Sequence, residues 1–334
     1  MDANLFLIQP RPETRPAPLV GIAKLAASSP QLGSKRTVEY FNLRSKSILN
    51  RCSSDRVPFR WTINPYRGCE FGCKYCYARY THEYMGMEDP WQFEEKIYSK
   101  ERAAELLKLE LARNPRGAIA IGTATDPYQP AEREFHTTRN ILETIAQFRG
   151  LQVSITTKSD LILRDRDLLV EIGRHNDFQV NITVTTMQVR LARLLETRSP
   201  RPDLRMHAAA QIARAGVPVA IFAMPVLPEI TDGRKNLDAV ARAASGAGAC
   251  HFAVQALVLM PSAQAAFFPL LQQEFPQLVE RYRRLYARGA YLSAQYRSRI
   301  EALAGELRRK YRLTGRPRSY SPEAFAPSPQ MPLF

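Results

Sequence analysis

An α/β fold with parallel βα units is expected for this chain, on three observations. Short apolar or β-branched runs, such as 118–122 and 153–157, are bounded by turn residues. The stretches between such runs space their apolar residues at helical intervals. The 334 residues, 45% of them hydrophobic, suit one α/β domain of ~250 residues with tails better than two equal domains.

Taken in order, residues 1–46 read as an irregular leader, because Pro10, Pro12, Pro16 and Pro18 crowd together among Ala and Ser. The segment from 35 to 61 leads into a cysteine-rich loop. A helix is expected over 93–113, from the spacing of Ala103, Leu106, Leu107 and Leu111. Alternation follows: strand 118–122, helix 139–148, strand 153–157, helix 165–172, strand 180–184, helix 202–215, strand 217–224, helix 236–245 and strand 252–257. Residues 47–260 are thus assigned to the core and 261–315 to a basic helical extension, helical from about 267 to 311. Residues 316–334 form a Pro-rich tail, expected to be disordered. There is no internal repeat.

Three of the five cysteines, Cys69, Cys73 and Cys76, follow a C-x3-C-x2-C spacing. A cubane iron–sulfur cluster is usually held by four thiolates, so three leave one iron open for a small molecule. Gly68 and Gly72 let the backbone wrap closely, and Tyr75 and Tyr77 supply an aromatic shield. Zinc is the competing reading, but His82 is the only local fourth ligand and its spacing fits no common finger. Three unrelated buried thiols are the bland alternative. Cys52 and Cys250 read as inert buried residues. So few cysteines, so clustered, are not a disulfide framework, and a thiolate-held cluster favours a reducing compartment.

Forty-seven Lys and Arg against 32 Asp and Glu leave a net charge of +15, which points to a polyanionic partner, nucleic acid above all. The helical extension interleaves Arg281, Arg283, Arg284, Arg288, Arg297 and Arg299 with Tyr282, Tyr286, Tyr291 and Tyr296. Two readings stay open: amphipathic helices with tyrosines turned inward, or a phosphate-binding face with stacking platforms. No apolar run reaches the ~18 residues of a membrane span. The N-terminus lacks a signal-peptide pattern, so a cytoplasmic location is expected.

With Tyr75 before its last cysteine, the motif resembles the signature of the radical S-adenosylmethionine superfamily. The string continuing through Ala78-Arg79-Tyr80-Thr81-His82-Glu83-Tyr84 is similar to the branch related to spore photoproduct lyase, and the resemblance runs over about 47–256. It implies that the βα units form a partial, roughly six-stranded barrel. It also implies a [4Fe–4S] cluster on Cys69, Cys73 and Cys76, with S-adenosylmethionine at the open iron and Tyr75 among the cofactor-binding residues. Reductive cleavage of that cofactor would yield a 5′-deoxyadenosyl radical that abstracts hydrogen from a substrate. The electron would come from a donor such as flavodoxin or ferredoxin.

Reactive groups in parallel βα folds gather at the C-terminal ends of the strands. There lies Gly122-Thr123-Ala124-Thr125-Asp126-Pro127-Tyr128-Gln129-Pro130, where the resemblance assigns Thr123, Thr125 and Asp126 to the cofactor's amino group. A polar turn with Asp126 capping the next helix is the alternative. Lys158, Ser159 and Asn181 are candidates for the cofactor's carboxylate and ribose. Glu196-Thr197-Arg198-Ser199-Pro200 is similar to a Glu-Pro-Arg segment of related proteins, though a surface ion pair explains it as well. His136, His175, His207 and His251 form no ligand spacing.

By resemblance the substrate is a nucleic-acid lesion, DNA favoured, with the base flipped out where it lies in a duplex. Radical modification of RNA or protein is the second reading, and a non-catalytic nucleic-acid-binding sensor the third. Spore photoproduct lyases carry a hydrogen-returning cysteine where this chain has Thr123 and Ala124, which puts repair of that particular lesion in doubt. Cys250 would substitute only at the barrel mouth. The final Gln330-Met331-Pro332-Leu333-Phe334 resembles the peptide by which bacterial repair proteins dock on the sliding clamp, through Gln330, Leu333 and Phe334. A chance match, or a tail folded back on the core, is the alternative.

Overall fold

A computed structural model of the protein describes residues 19–54 and 56–313. The start of the leader and the tail carrying Gln330, Leu333 and Phe334 lie outside the described residues.

Six parallel strands form the scaffold: β1 (Trp61–Ile63), β2 (Ile119–Ile121), β3 (Gln152–Thr157), β4 (Asp177–Thr183), β5 (Val219–Val226) and β6 (His251–Ala256). Each pairs with the next in chain order, the arrangement of a barrel wall. Leu49–Arg51 adds an antiparallel edge beside β1, and it does not pair with β6 among the described residues, so the barrel is partial.

Strand pleating sorts the side chains. Val153, Ile155, Val180, Ile182, Val219 and Ile221 are buried in the same apolar core as helix residues Ile141, Leu142, Leu169, Ile212 and Val240. Their neighbours on the other face, Ser154, Thr156, Gln179 and Asn181, are polar, so the concave side can take a polar ligand. Helix Ala294–Lys310 packs along β6, and Arg308 donates to the Phe252 carbonyl at 3.2 Å, covering that edge.

Three expectations need correction. Residues 1–46 are not all irregular: a helix spans Gly21–Ala27, and strands Gln31–Lys35 and Val38–Arg44 follow. The expected helix over 93–113 is interrupted by a strand, Lys96–Glu101, with regular helix only at Ala103–Leu111. The two differences share one cause: Val38–Arg44 pairs in parallel with Lys96–Glu101, a contact between distant segments that buries Val38, Tyr40, Ile97 and Tyr98. With Gln31–Lys35 and Tyr66–Arg67 these make a second, four-stranded sheet. The opening barrel strand β1 is absent from the expected alternation.

The helical extension is part of the same packing unit. Helices Pro261–Glu274 and Val279–Tyr286 place Phe267, Leu271, Tyr282 and Tyr286 in one apolar cluster with Cys69, Phe71, Cys73 and Tyr75.

Candidate active site

The cysteine loop leaves the C-terminal end of β1 and is tied down on every side. Gly68 has φ +81°, and a Cβ there would stand 2.6 Å from the Lys96 carbonyl and 2.8 Å from that of Phe93, so only glycine allows this approach. Cys69 N–H donates to Phe93 O at 2.9 Å and Lys74 N–H to Leu195 O at 2.9 Å. Arg79 donates to the Cys73 carbonyl at 3.2 Å while paired with the buried Glu94 at 2.7 Å.

The three thiols share one apolar bed, Cys69 and Cys73 buried and Cys76 half-buried. Burial above all, then Asp126, Cys73 and Cys76, pushes the Cys69 thiol well up, and burial pushes Cys73 up to about 12. Left to themselves these sulfurs stay protonated; a bound metal takes them as thiolates. Among the described residues no three His, Cys, Asp or Glu side chains converge on a single metal ion. His82 is committed elsewhere, its Nε2 lying 3.0 Å from the Lys96 carbonyl and its ring edge-on to Phe93. A cluster distributes its thiolates over different irons, so the donor set and its water-poor bed fit an iron–sulfur group.

Beneath the loop lies a network that the sequence does not disclose. Glu196 forms a backbone bridge with Cys73, accepts a hydrogen bond from Tyr75 Oη and one from Thr185 Oγ1 at 2.8 Å, and pairs with Arg205. The ion pair is therefore neither exposed nor formed by Arg198. Burial works against the Glu196 charge, but Arg205 and Lys158 outweigh it and hold the carboxyl below its usual range. Lys158 sits 5.9 Å from the centre of the Tyr75 ring. Burial opposes its charge too, yet Cys73 and Glu196 keep the ammonium above its ordinary value.

The strand-end segment braces the loop. Thr125 Oγ1 donates to Gly68 O at 2.6 Å, Gln129 Nε2 to the same carbonyl at 3.1 Å, and Asn64 Oδ1 accepts from Ala124 N–H at 2.8 Å. Asp126 accepts from Tyr128 N–H, Thr157 Oγ1 and Lys158 N–H at 2.9, 2.6 and 2.7 Å. Those contacts make Asp126 a clamp between β2 and β3; it does not cap the next helix, Glu132–Phe135, whose N-cap is Ala131. Ser159 is likewise engaged, its Oγ accepting from Leu161 N–H at 3.3 Å as a helix cap. Thr123 Oγ1 accepts from Asn64 Nδ2 at 3.1 Å. Asn181 accepts from Gln179 at 2.7 Å and donates to Thr156 at 3.1 Å on the concave face. Gln129 lies in the strand-end segment but is given no role by the sequence, and Asn64 carries no motif that could single it out.

Other expectations resolve plainly. Tyr282 Oη donates to Pro228 O at 2.9 Å and Tyr286 Oη to Leu257 O at 3.0 Å, so these rings are core residues and not stacking platforms. Arg281 pairs with Glu229 at 2.9 Å. Cys250 precedes β6, at the end of the strands opposite the cysteine loop, and so cannot act at the mouth. It and Cys52 are half-buried, not buried. No helix among the described residues is long and apolar enough to cross a membrane.

Comparison with known proteins agrees with this geometry. An uncharacterized protein of Mycobacterium tuberculosis (strain ATCC 25618 / H37Rv) is 35% identical over 292 residues, 86% of each chain. An uncharacterized protein of Methanocaldococcus jannaschii is 30% identical over 198 residues, covering 58% of this chain and 70% of that one. In fold, the chain is similar to spore photoproduct lyase complexed with dinucleoside spore photoproduct, with a TM-score of 0.61 at 14% identity over 81% of this chain and 79% of that one. The family model of the radical SAM superfamily matches residues 63–239, from the end of β1 through the cysteine loop to the fifth strand and beyond, and the chain belongs to that superfamily of enzymes.

Proposed function

We propose that the protein is a radical enzyme acting on nucleic acid, with a DNA lesion as the favoured substrate. Cys69, Cys73 and Cys76 would hold a [4Fe–4S] cluster, and Lys158 and Asn181 would face the S-adenosylmethionine beside it. When bound, the pair supplies hydrogen abstraction through a 5′-deoxyadenosyl radical. The chain's own residues position and shield: Glu196 and Arg205 support the loop from below, and the apolar bed around Tyr75 keeps water out.

The observation that carries the substrate reading is a strip of accessible tyrosine beside the loop. Tyr77, Tyr84 and Tyr291 are 43%, 65% and 51% exposed. Tyr80 joins Tyr77 and Tyr84 into one aromatic run, with ring centres 6.4 and 5.7 Å apart. Arg56 lies over Tyr291 at 4.4 Å. Exposed rings with cations among them suit stacking of unpaired bases. Spore photoproduct lyase, similar in fold, has been solved with a dinucleoside spore photoproduct, which supports taking the same substrate class as the reading here.

The test is anaerobic turnover with deuterated DNA and RNA pools, following deuterium into 5′-deoxyadenosine. Transfer from DNA is expected. Transfer from RNA or a peptide alone would move the substrate class, and failure to form 5′-deoxyadenosine at all would leave a non-catalytic sensor.

A further inference from the structure

Away from the thiols, a cavity of about 600 Å3 opens between helix Gly21–Ala27, the smaller sheet and residues 44–50. Among the described residues five cations line it, Lys24, Arg44, Lys46, Arg67 and Lys100, and no Asp or Glu does. Arg44, at the rim, also meets Glu101 at 3.4 Å. Lys100 is only 7% exposed. Neither its ammonium nor the Arg67 guanidinium makes a side-chain hydrogen bond or ion pair among the described residues.

A buried cation without an ion-pair partner is costly, so Lys100, with the half-buried Arg67 lining the same cavity, calls for one. Among the described residues no carboxylate stands within ion-pair distance of either, and one acts on Lys100 from farther off. Glu110, the carboxylate whose field reaches Lys100, is committed to the backbone N–H groups of Ile48 and Leu49 at 3.2 and 2.8 Å. Burial first, and then Arg67, pushes the Lys100 ammonium down to about 7, a cost that a bound anion would reverse. Ser45, Ser47 and Asn50 add hydroxyl and amide groups to the wall, and Ile22 and Leu25 give it an apolar side. A cavity of this size exceeds a lone phosphate and suits a nucleotide unit.

We propose that this cavity is a phosphate-binding pocket, which seats a backbone phosphate of the nucleic acid through Lys100 and Arg67. The phosphate chemistry stands on the cavity; its identification with nucleic acid rests on the proposed substrate. Position supports the link, because Arg67 lies two residues before Cys69 and its charge reaches Tyr80 in the aromatic strip. A strand could thus place a phosphate in the pocket while neighbouring bases meet the tyrosines.

The experiment uses the full chain with its cluster, inorganic pyrophosphate as probe, and a short fluorescent single-stranded DNA, all at constant ionic strength. Pyrophosphate should raise the thermal midpoint of the native protein and displace the DNA. Lys100→Met should weaken pyrophosphate binding about tenfold or more, as for loss of a charge-assisted hydrogen bond, without lowering the ligand-free midpoint. Lys46→Ala, at the exposed rim, should weaken it about threefold and cannot disturb the core. Equal stabilisation of native protein and both variants, or none in any, overturns the pocket. DNA binding indifferent to Lys100→Met and to pyrophosphate overturns the backbone-phosphate assignment but leaves the nucleic-acid reading standing. Pyrophosphate binding lost in Lys100→Met, with no DNA binding at all, upholds the phosphate pocket and removes the nucleic-acid reading instead.

Discussion

The Glu196 carboxylate meets the Arg205 guanidinium at 2.6 Å, and each side chain is 1% exposed. Arg205 also donates to the carbonyls of Pro200 at 2.8 Å and Thr183 at 3.1 Å, so one cation joins the loop after β4 to the strand itself. Because Glu196 in turn receives Tyr75 and bridges Cys73, the pair is the floor of the cysteine loop.

Removing one partner should therefore do more harm than removing both. Glu196→Leu leaves Arg205 buried and unpaired, for an expected loss of about 3–5 kcal/mol, whereas Glu196→Leu with Arg205→Met should recover a large part of it. Urea unfolding of the four proteins in the cycle measures this. A loss below about 1 kcal/mol in the single variant would mean that the pair contributes little to the floor.

Cluster assembly should depend on three cysteines and ignore the other two. After anaerobic reconstitution, Cys69→Ala, Cys73→Ala and Cys76→Ala should each lose most bound iron and sulfide, while Cys52→Ala and Cys250→Ala retain it. Full iron content in the Cys73→Ala protein would remove the ligand assignment.

Asp126 distinguishes a structural clamp from a cofactor ligand. With three donors on its carboxylate, Asp126→Ala is expected to destabilise the protein by about 2–4 kcal/mol, leaving Thr157 and two backbone N–H groups unsatisfied. Affinity for S-adenosylmethionine in the remaining folded protein should change by less than about threefold. Unchanged urea stability with a large loss of affinity would return Asp126 to the cofactor.

Acid should act through His82. Burial, with help from Arg67, Lys96 and Arg79, lowers its folded pKa from 6.5 to about 4, so the native state holds the ring neutral where the unfolded chain protonates it. Its contribution is fully present above the unfolded pKa of 6.5 and is lost as pH falls towards 4, up to about 3 kcal/mol. His82→Gln should show a shallower fall in stability over that window. Parallel pH profiles for the two proteins would exclude His82 as the titrating group.

Local chemistry is legible in the order of residues. The C-x3-C-x2-C loop is readable because all three cysteines lie within eight residues, and the alternation from β2 to β6 because strand and helix periodicities repeat within a few residues. The partners of individual side chains are not readable in this way. Val38–Arg44 becomes a strand only because Lys96–Glu101 lies beside it, and the helical spacing of residues 103–111 does not extend back across that strand. Asp126 reads as a ligand in sequence, and it is Thr157 and Lys158, packed against it, that make it a clamp. Nothing near Arg205 in the chain points to Glu196, and nothing near Lys100 points to Arg67. The sequence alone determined the thiolate loop, the order of the βα units and the excess of positive charge, all properties of neighbouring residues or of composition. Only the tertiary structure decided which charges are buried and which are paired, because desolvation and Coulomb energy depend on distances in space.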